Sequence, residues 1–302
     1  MRLKYWFCAV RSQTLLLSFS GITLSYLISI SKGYGDFYTY LLCIITSIFL
    51  QVLANFSNDY GDSIKGVDNY QRIGPKRTIQ SGLISIFAMK KAINILSILS
   101  FCSGLLLIYR SIELNNFFIF LFYFIGIFVC IYSSIKYSVG PYPYGYLGMG
   151  DLSVFIFFGL VSVGGSYFLY TKVFSLDIFL LSLSIGLLSL SVLNINNMRD
   201  IKNDYKNGKY TVAGILGIKY AKLYHIFSII ISIVLGIFFN ILNDYKNIYK
   251  WLFFILNIPF FIRHLKRIIS IENPECFNSE LKRLIHLTFL YSMSIGIGAQ
   301  IK

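Results

Sequence analysis

Acidic residues are scarce in this chain. Thirteen Asp and Glu face twenty-seven Lys and Arg among 302 residues, and charged residues of both signs reach only 13%. A soluble domain carries about 25%. With 56% of residues in the apolar set and a mean hydropathy of +0.67, a soluble enzyme and a disordered chain are both excluded. Only five cysteines occur (Cys8, Cys43, Cys102, Cys130 and Cys276), and no two are spaced CxxC. This excludes a disulfide scaffold, and Cys43, Cys102 and Cys130, lying in apolar runs, read as small buried hydrophobes. The three histidines, His225, His264 and His286, are scattered and suggest no His/Cys metal site.

Long apolar runs are abundant. A bilayer core of about 30 Å needs about 20 apolar residues in a helix. Nine runs approach that length: Thr14–Ile30, Phe37–Phe56, Ala92–Tyr109, Phe117–Ile135, Leu152–Tyr170, Ile178–Leu193, Leu223–Ile241, Ile248–Ile262 and Leu284–Ala299. The eighth is short and contains Pro259. The pattern predicts an all-α polytopic membrane protein with about nine transmembrane helices, forming one integral-membrane domain over residues 1–302. Arg2 and Lys4 imitate the start of a signal peptide, but Arg11 interrupts the run and no small-residue cleavage site follows. The segment reads as an interfacial lead-in to a retained first span, with Trp6 at headgroup level.

The net charge of +14 does not point to nucleic acid. The basic residues sit in short loops between apolar runs, and no nucleic-acid recognition module is visible. Of the twenty-seven, twenty-one fall on the side that holds the N-terminus and six on the other. This places the N-terminus in the cytoplasm and, with nine spans, the C-terminus outside. The long polar segments Asn58–Lys91 and Asn197–Lys222 are then cytoplasmic, so function is expected on that face.

The few acids are unevenly placed. Asp36, Glu113, Asp177 and Asp244 lie in outer loops, and Glu272, Glu275 and Glu280 read as solvated surface of the last cytoplasmic loop. The others gather where apolar runs end on the cytoplasmic side. If the second span continues as helix, Asn55, Asn58/Asp59 and Asp62 share one face. Asn194, Asn197, Asp200 and Asp204 form a matching stripe after the sixth span. The repetition four spans apart hints at an internal duplication. Carboxylates beside a membrane are costly and usually functional. Oxygen-rich stripes suit Mg²⁺ bridging to substrate phosphates. Asn58, Asp59, Asp62, Asp200 and Asp204 are the candidate metal ligands. The same four aspartates are the catalytic candidates. Arg72, Arg77, Arg199 and Lys209, with Lys76, are placed to neutralise a diphosphate.

Asn58-Asp59-x-x-Asp62 with Asp68, and Asp200-x-x-x-Asp204, resemble the paired aspartate motifs of the UbiA-type intramembrane prenyltransferase superfamily. The runs Asn58–Asn69 and Arg72–Ser85, together with Pro141–Asp151 and Asn196–Asp200, resemble its menaquinone branch, the 1,4-dihydroxy-2-naphthoate polyprenyltransferases. The likeness extends from Trp6 to the seventh span. After Tyr-Pro in the fourth loop, the ubiquinone branch carries basic residues where this chain has Tyr144-Gly145-Tyr146. After Gly208-Lys209, the family usually has a further basic residue where this chain has Tyr210.

The resemblance implies a UbiA-type bundle and a Mg²⁺-dependent enzyme. Its substrates would be a polyprenyl diphosphate and 1,4-dihydroxy-2-naphthoate, joined with loss of carbon dioxide to give demethylmenaquinol. Asn55, Asp68, Arg72, Arg77, Asn197, Arg199 and Lys209 would contact substrate. Tyr144, with Tyr142, Tyr146 and Asp151, would serve the acceptor side. Two alternatives remain open: prenyl transfer to another aromatic acceptor, and a secondary transporter. The acids stand at helix ends rather than at the bilayer midplane, where transporter sites lie, which favours the enzyme.

Overall fold

The computed structural model describes residues 3–70, 72–113, 116–243 and 248–301, with the backbone alone for 248–250. Arg2, Asp244, Lys246 and Lys302, which count in the charge distribution, lie outside the described residues. Among the described residues, the secondary structure is helical throughout. The short α1 (Leu3–Val10) leads into α2 (Ser12–Ser31), α3 (Phe37–Ile64), α4 (Ile86–Ser111) and α5 (Phe117–Lys136). Next come α6 (Gly150–Thr171), α7 (Leu176–Lys206) and α8 (Val212–Leu242). The chain closes with α9 (Ile248–Ile255), α10 (Ile258–Ser270) and α11 (Phe277–Gly298). The middle of α6, Phe155–Gly165, is π-wound.

Among the described residues, seven helices, α2 to α8, are long and apolar enough to cross a membrane. The chain is an integral membrane protein. The expected eighth span, Ile248–Ile262, is divided between α9 and α10, and the ninth falls in α11. The break has a local cause. Pro259 lacks an N–H and sits in the first turn of α10, where that loss is harmless. Asn257 turns its amide nitrogen onto the Phe253 carbonyl at 3.0 Å, closing the preceding helix.

Two of the helices that outrun the bilayer, α3 and α7, do so with polar ends. At about 1.5 Å per residue, 28 residues of α3 and 31 of α7 exceed a core of about 30 Å by more than 10 Å. Their final turns carry the two aspartate stripes, so both continue as helix through the polar residues. α3 packs on α4, α5 and α2, whereas α7 packs on α6, α8 and α11. Buried hydroxyls fasten the second group: Ser184 Oγ lies 2.9 Å from Ser232 Oγ and 3.0 Å from the Tyr291 hydroxyl. Such bonds hold helices together where apolar side chains gain little over lipid.

Candidate active site

The two stripes end in the same backbone figure. After α3, the Val67 amide donates to the Asp62 carbonyl at 2.9 Å across Gly66, whose φ is 72°. After α7, the Lys209 amide donates to the Asp204 carbonyl at 2.9 Å across Gly208, φ 71°. Positive φ is open to glycine at little cost, and this is the usual way a helix closes its last carbonyls. The closure folds each following loop back over its own aspartates. The Asn203 side chain then donates to the Val67 carbonyl at 2.9 Å, joining the last turns of α7 to the first loop.

Lys209 is the shared cation. Its ammonium lies 3.9 Å from Asp62 and 3.8 Å from Asp204, which brings the two stripes together. Burial pushes this ammonium toward neutrality, but Asp62 and Asp204 more than offset it, so its pKa is raised. The ammonium also stands 5.5 Å from the centre of the Tyr146 ring.

The carboxylates are held differently. Asp62 accepts from the Tyr146 hydroxyl at 2.7 Å and from the Asn58 amide at 2.9 Å. Asp59 pairs with Arg11, with Arg77 Nε 3.5 Å away and the Thr78 hydroxyl at 3.4 Å. Asp68 pairs with Arg72 at 3.0 Å and lies 3.9 Å from Arg77 Nε. Burial and the neighbouring Asp62 push the Asp68 carboxyl up to about 6. Burial, with Arg11 and Arg72 nearby, lowers the Arg77 guanidinium. Asp200 is bound by its own neighbour: Arg199 Nε and Nη2 donate to its two oxygens at 3.0 and 2.5 Å. Asp204 Oδ2 is buried without a hydrogen-bond partner.

Thus Asn58, Asp59, Asp62, Asp68, Arg72, Arg77, Arg199, Asp200, Asp204 and Lys209 gather at one end of the bundle. Five expected residues are engaged otherwise or stand apart. Asn55 donates to the Val10 carbonyl at 2.8 Å and to Thr14 at 3.0 Å, fastening α3 to the start of α2. Asn194 donates to the Ala221 carbonyl of α8 at 3.0 Å, while Asn197 is buried on α7. The Tyr144 hydroxyl donates to the Ser133 carbonyl of α5 at 2.8 Å, so Tyr146, not Tyr144, touches an aspartate. Asp151 meets Tyr224 of α8. Tyr210 reaches the site through its backbone, its amide donating to the Tyr146 carbonyl at 2.9 Å.

Arg11 is a site residue that sequence reasoning leaves in the lead-in. It adopts φ 52° between α1 and α2 and swings back over α3, where Nη2 also donates to Asn58 at 3.0 Å. Its only signal is a charge interrupting an apolar stretch. Glu280 corrects a second expectation. It is buried, not solvated, because His264, Arg267 and Arg283 surround it.

Among the described residues, no three His, Cys, Asp or Glu side chains are close enough to hold a metal unaided. The donors are all oxygen, one buried oxygen of Asp204 has no partner, and cations lie against the rest. Such a set fits a hard cation that takes its remaining ligands from phosphate.

Residues 18–290 match the UbiA prenyltransferase family. The chain is 37% identical to the 1,4-dihydroxy-2-naphthoate octaprenyltransferase of Haemophilus influenzae, over 98% of this chain and 96% of that one. It is 35% identical to the enzyme of the same name from Escherichia coli, over 98% and 95%. Its fold is similar to that of a UbiA homolog from Archaeoglobus fulgidus solved with GPP and Mg²⁺. That likeness has a TM-score of 0.66 at 14% identity and covers 96% of this chain and 99% of that one.

Proposed function

The chain belongs to the UbiA prenyltransferase family, and from that premise we propose that it transfers a polyprenyl group from polyprenyl diphosphate to 1,4-dihydroxy-2-naphthoate. Carbon dioxide is lost and demethylmenaquinol results, a step of menaquinone biosynthesis. The protein acts as a single prenyltransferase domain. The observation that carries the reading is the convergence of two aspartate-bearing helix ends on Lys209. Two near-full-length relatives named for this reaction support the choice of acceptor.

Asn58, Asp59, Asp62, Asp200 and Asp204 would hold Mg²⁺, which when bound neutralises the diphosphate and makes it a better leaving group. Arg72, Arg77, Arg199 and Lys209 take up the remaining negative charge of the donor, with Asn55, Asp68 and Asn197 supporting the same site. Tyr146 holds Asp62 in place through its hydroxyl. As the carbon–oxygen bond to diphosphate breaks, an allylic cation forms, and the apolar bundle keeps water from it. Aromatic faces stabilise such a cation. The naphthoate ring, received beside the fourth loop at Tyr144, forms the new carbon–carbon bond. The donor tail and the product stay in lipid, which is why the catalyst is a membrane bundle.

The active site and N-terminus face the cytoplasm of a bacterial inner membrane, with the C-terminus outside. Single cysteines in a background lacking the native five test this. Those at Ser63 and Asn207 should react with an impermeant reagent only from the cytoplasmic side, and one at Asn243 only from outside. The reverse pattern would overturn the orientation.

The chemistry is tested with purified membranes given Mg²⁺, labelled polyprenyl diphosphate and either dihydroxynaphthoate or hydroxybenzoate. A lipid product of the demethylmenaquinol mass, abolished by EDTA and restored by Mg²⁺, is expected from the naphthoate alone. Product only from the benzoate would move the acceptor to another branch. No lipid product from either would remove the enzymatic reading.

A further inference from the structure

The end of α7 is also held from α11. Arg199 Nη1 donates to Asn278 Oδ1 at 2.7 Å, while Nη2 donates to Asn196 at 2.8 Å as well as to Asp200. The guanidinium fork is therefore fixed at both ends: Asp200 takes one edge, and Asn278 fixes the opposite nitrogen. Arg199 is buried, so a donor deprived of its acceptor has little water to turn to.

Asn278 stands in the first turn of α11, and that turn is anchored by a chain of buried polar groups. Glu280 Oε2 lies 2.8 Å from His264 Nδ1 on α10, and its other oxygen faces Arg267 and Arg283. His264 Nε2 in turn lies 3.0 Å from His225 Nε2 on α8. An ionised Glu280 assigns the His264 proton to Nδ1, which leaves Nε2 to accept from His225. Both histidines are fully buried. The chain links α11, α10 and α8 and takes no part in the diphosphate site itself.

We infer that Asn278 is a positioning residue for that site. It keeps the Arg199 fork aligned on Asp200, and the Glu280–His264–His225 chain fixes the helical turn that presents it. The inference rests on the reading of Arg199 and Asp200 as parts of the metal and diphosphate site. A bidentate arginine acts through its fixed planar geometry, so its value depends on what stops the fork from turning. With Asn278 removed, Arg199 rotates and the donor's diphosphate meets a less ordered wall. The acceptor, beside the fourth loop, is unaffected.

The test uses the purified full-length protein and a farnesyl thiolodiphosphate, a donor analogue that is not cleaved, titrated calorimetrically in the presence of Mg²⁺. Asn278→Ala should weaken analogue binding about tenfold, the effect of one lost hydrogen bond to a charged group. It should raise the donor KM in parallel and leave the naphthoate KM within about twofold. Asn278→Asp keeps an acceptor oxygen in place and should restore binding. His264→Leu should shift donor affinity in the same direction. Combined with Asn278→Ala, it should add little, because both act through Arg199. Asn278 is only half-buried, so its truncation leaves the fold intact, which a size-exclusion profile checks; should His264→Leu fail to fold, the Asn278 variants decide alone. Unchanged analogue affinity in Asn278→Ala, an equal rise in both KM values, or no recovery in Asn278→Asp would each overturn the inference. Asp204→Asn, run in parallel, separates the two levels. If it retains full donor affinity and turnover, the diphosphate site itself is misplaced. If it loses both while Asn278→Ala does not, only the role of Asn278 fails.

Discussion

The ends of α3 and α7 superimpose in sequence register. Asn55, Asn58 and Asp62 before Gly66 correspond to Asn197, Asp200 and Asp204 before Gly208, and the hydrogen bond that closes each end across its glycine, Val67 to Asp62 and Lys209 to Asp204, is the same. The two ends differ in the residues after the glycine and in the source of their cations. After Gly66 the first loop returns Val67 and the acid Asp68; after Gly208 the second returns Lys209. The first end draws its cations from afar, Arg11 from the chain's start and Arg72 and Arg77 from the following loop. The second draws them from its own neighbours, Arg199 and Lys209. One helix ending has thus been used twice, and the charges around it decide that the two copies face each other rather than repel.

The sharpest way to break this comparison is to remove the matched pair. Asp62→Ala and Asp204→Ala should each lose most turnover, on the order of several kcal/mol in barrier, while the protein still inserts. The double variant should be little worse than either single one, because the pair acts as a unit. Full activity in the double variant would end the proposal. Asp59→Ala and Asp200→Ala should also lose most turnover. Next in size is the shared cation. Lys209→Met leaves two buried carboxylates facing each other and should cost about 3–5 kcal/mol of stability. This is read as a lowered thermal midpoint in detergent, and an unchanged midpoint would show that Lys209 does not bridge the ends.

A smaller effect separates the two substrates. Arg72→Lys should raise the KM for the prenyl donor more than that for the naphthoate, since a point charge replaces a fork. Tyr144→Ala should do the opposite, and equal shifts in both variants would refute the division of labour. The smallest effect belongs outside the compared regions. Glu275 is exposed, and Glu275→Gln should change stability by less than about 0.5 kcal/mol and leave turnover alone. A larger change would mean that the segment between α10 and α11 contributes more than its exposure suggests.

Local spacing controls the features that were legible in the sequence. The stripes could be read because a polar helix end keeps the 3.6-residue period that places Asn58 and Asp62 on one face. Apolar runs marked α2 to α8 by their length against the bilayer core. Contacts between distant segments could not be read. Arg11 reaches Asp59 across 48 residues, and His225 meets His264 across 39, with no periodicity to connect either pair. Glu280 reads as surface because its neighbours in sequence are basic, yet Arg283 folds onto it and His264 and Arg267 close over it from α10. The break between α9 and α10 was half legible: Pro259 was visible, but the turn of the Asn257 amide onto the preceding helix depends on three-dimensional packing.

The left-handed residue between α1 and α2 bears on how the protein is handled. α1 leaves Leu3 and Phe7 uncovered, and it ends at Arg11, the residue that pairs with Asp59. Whatever tugs on α1 therefore tugs on a metal-site candidate. A large fluorescent or solubility fusion at the N-terminus should lower activity more than the same fusion after α11, and a short flexible spacer should recover the loss. Purification handles and crystallisation chaperones belong at the other end of the chain.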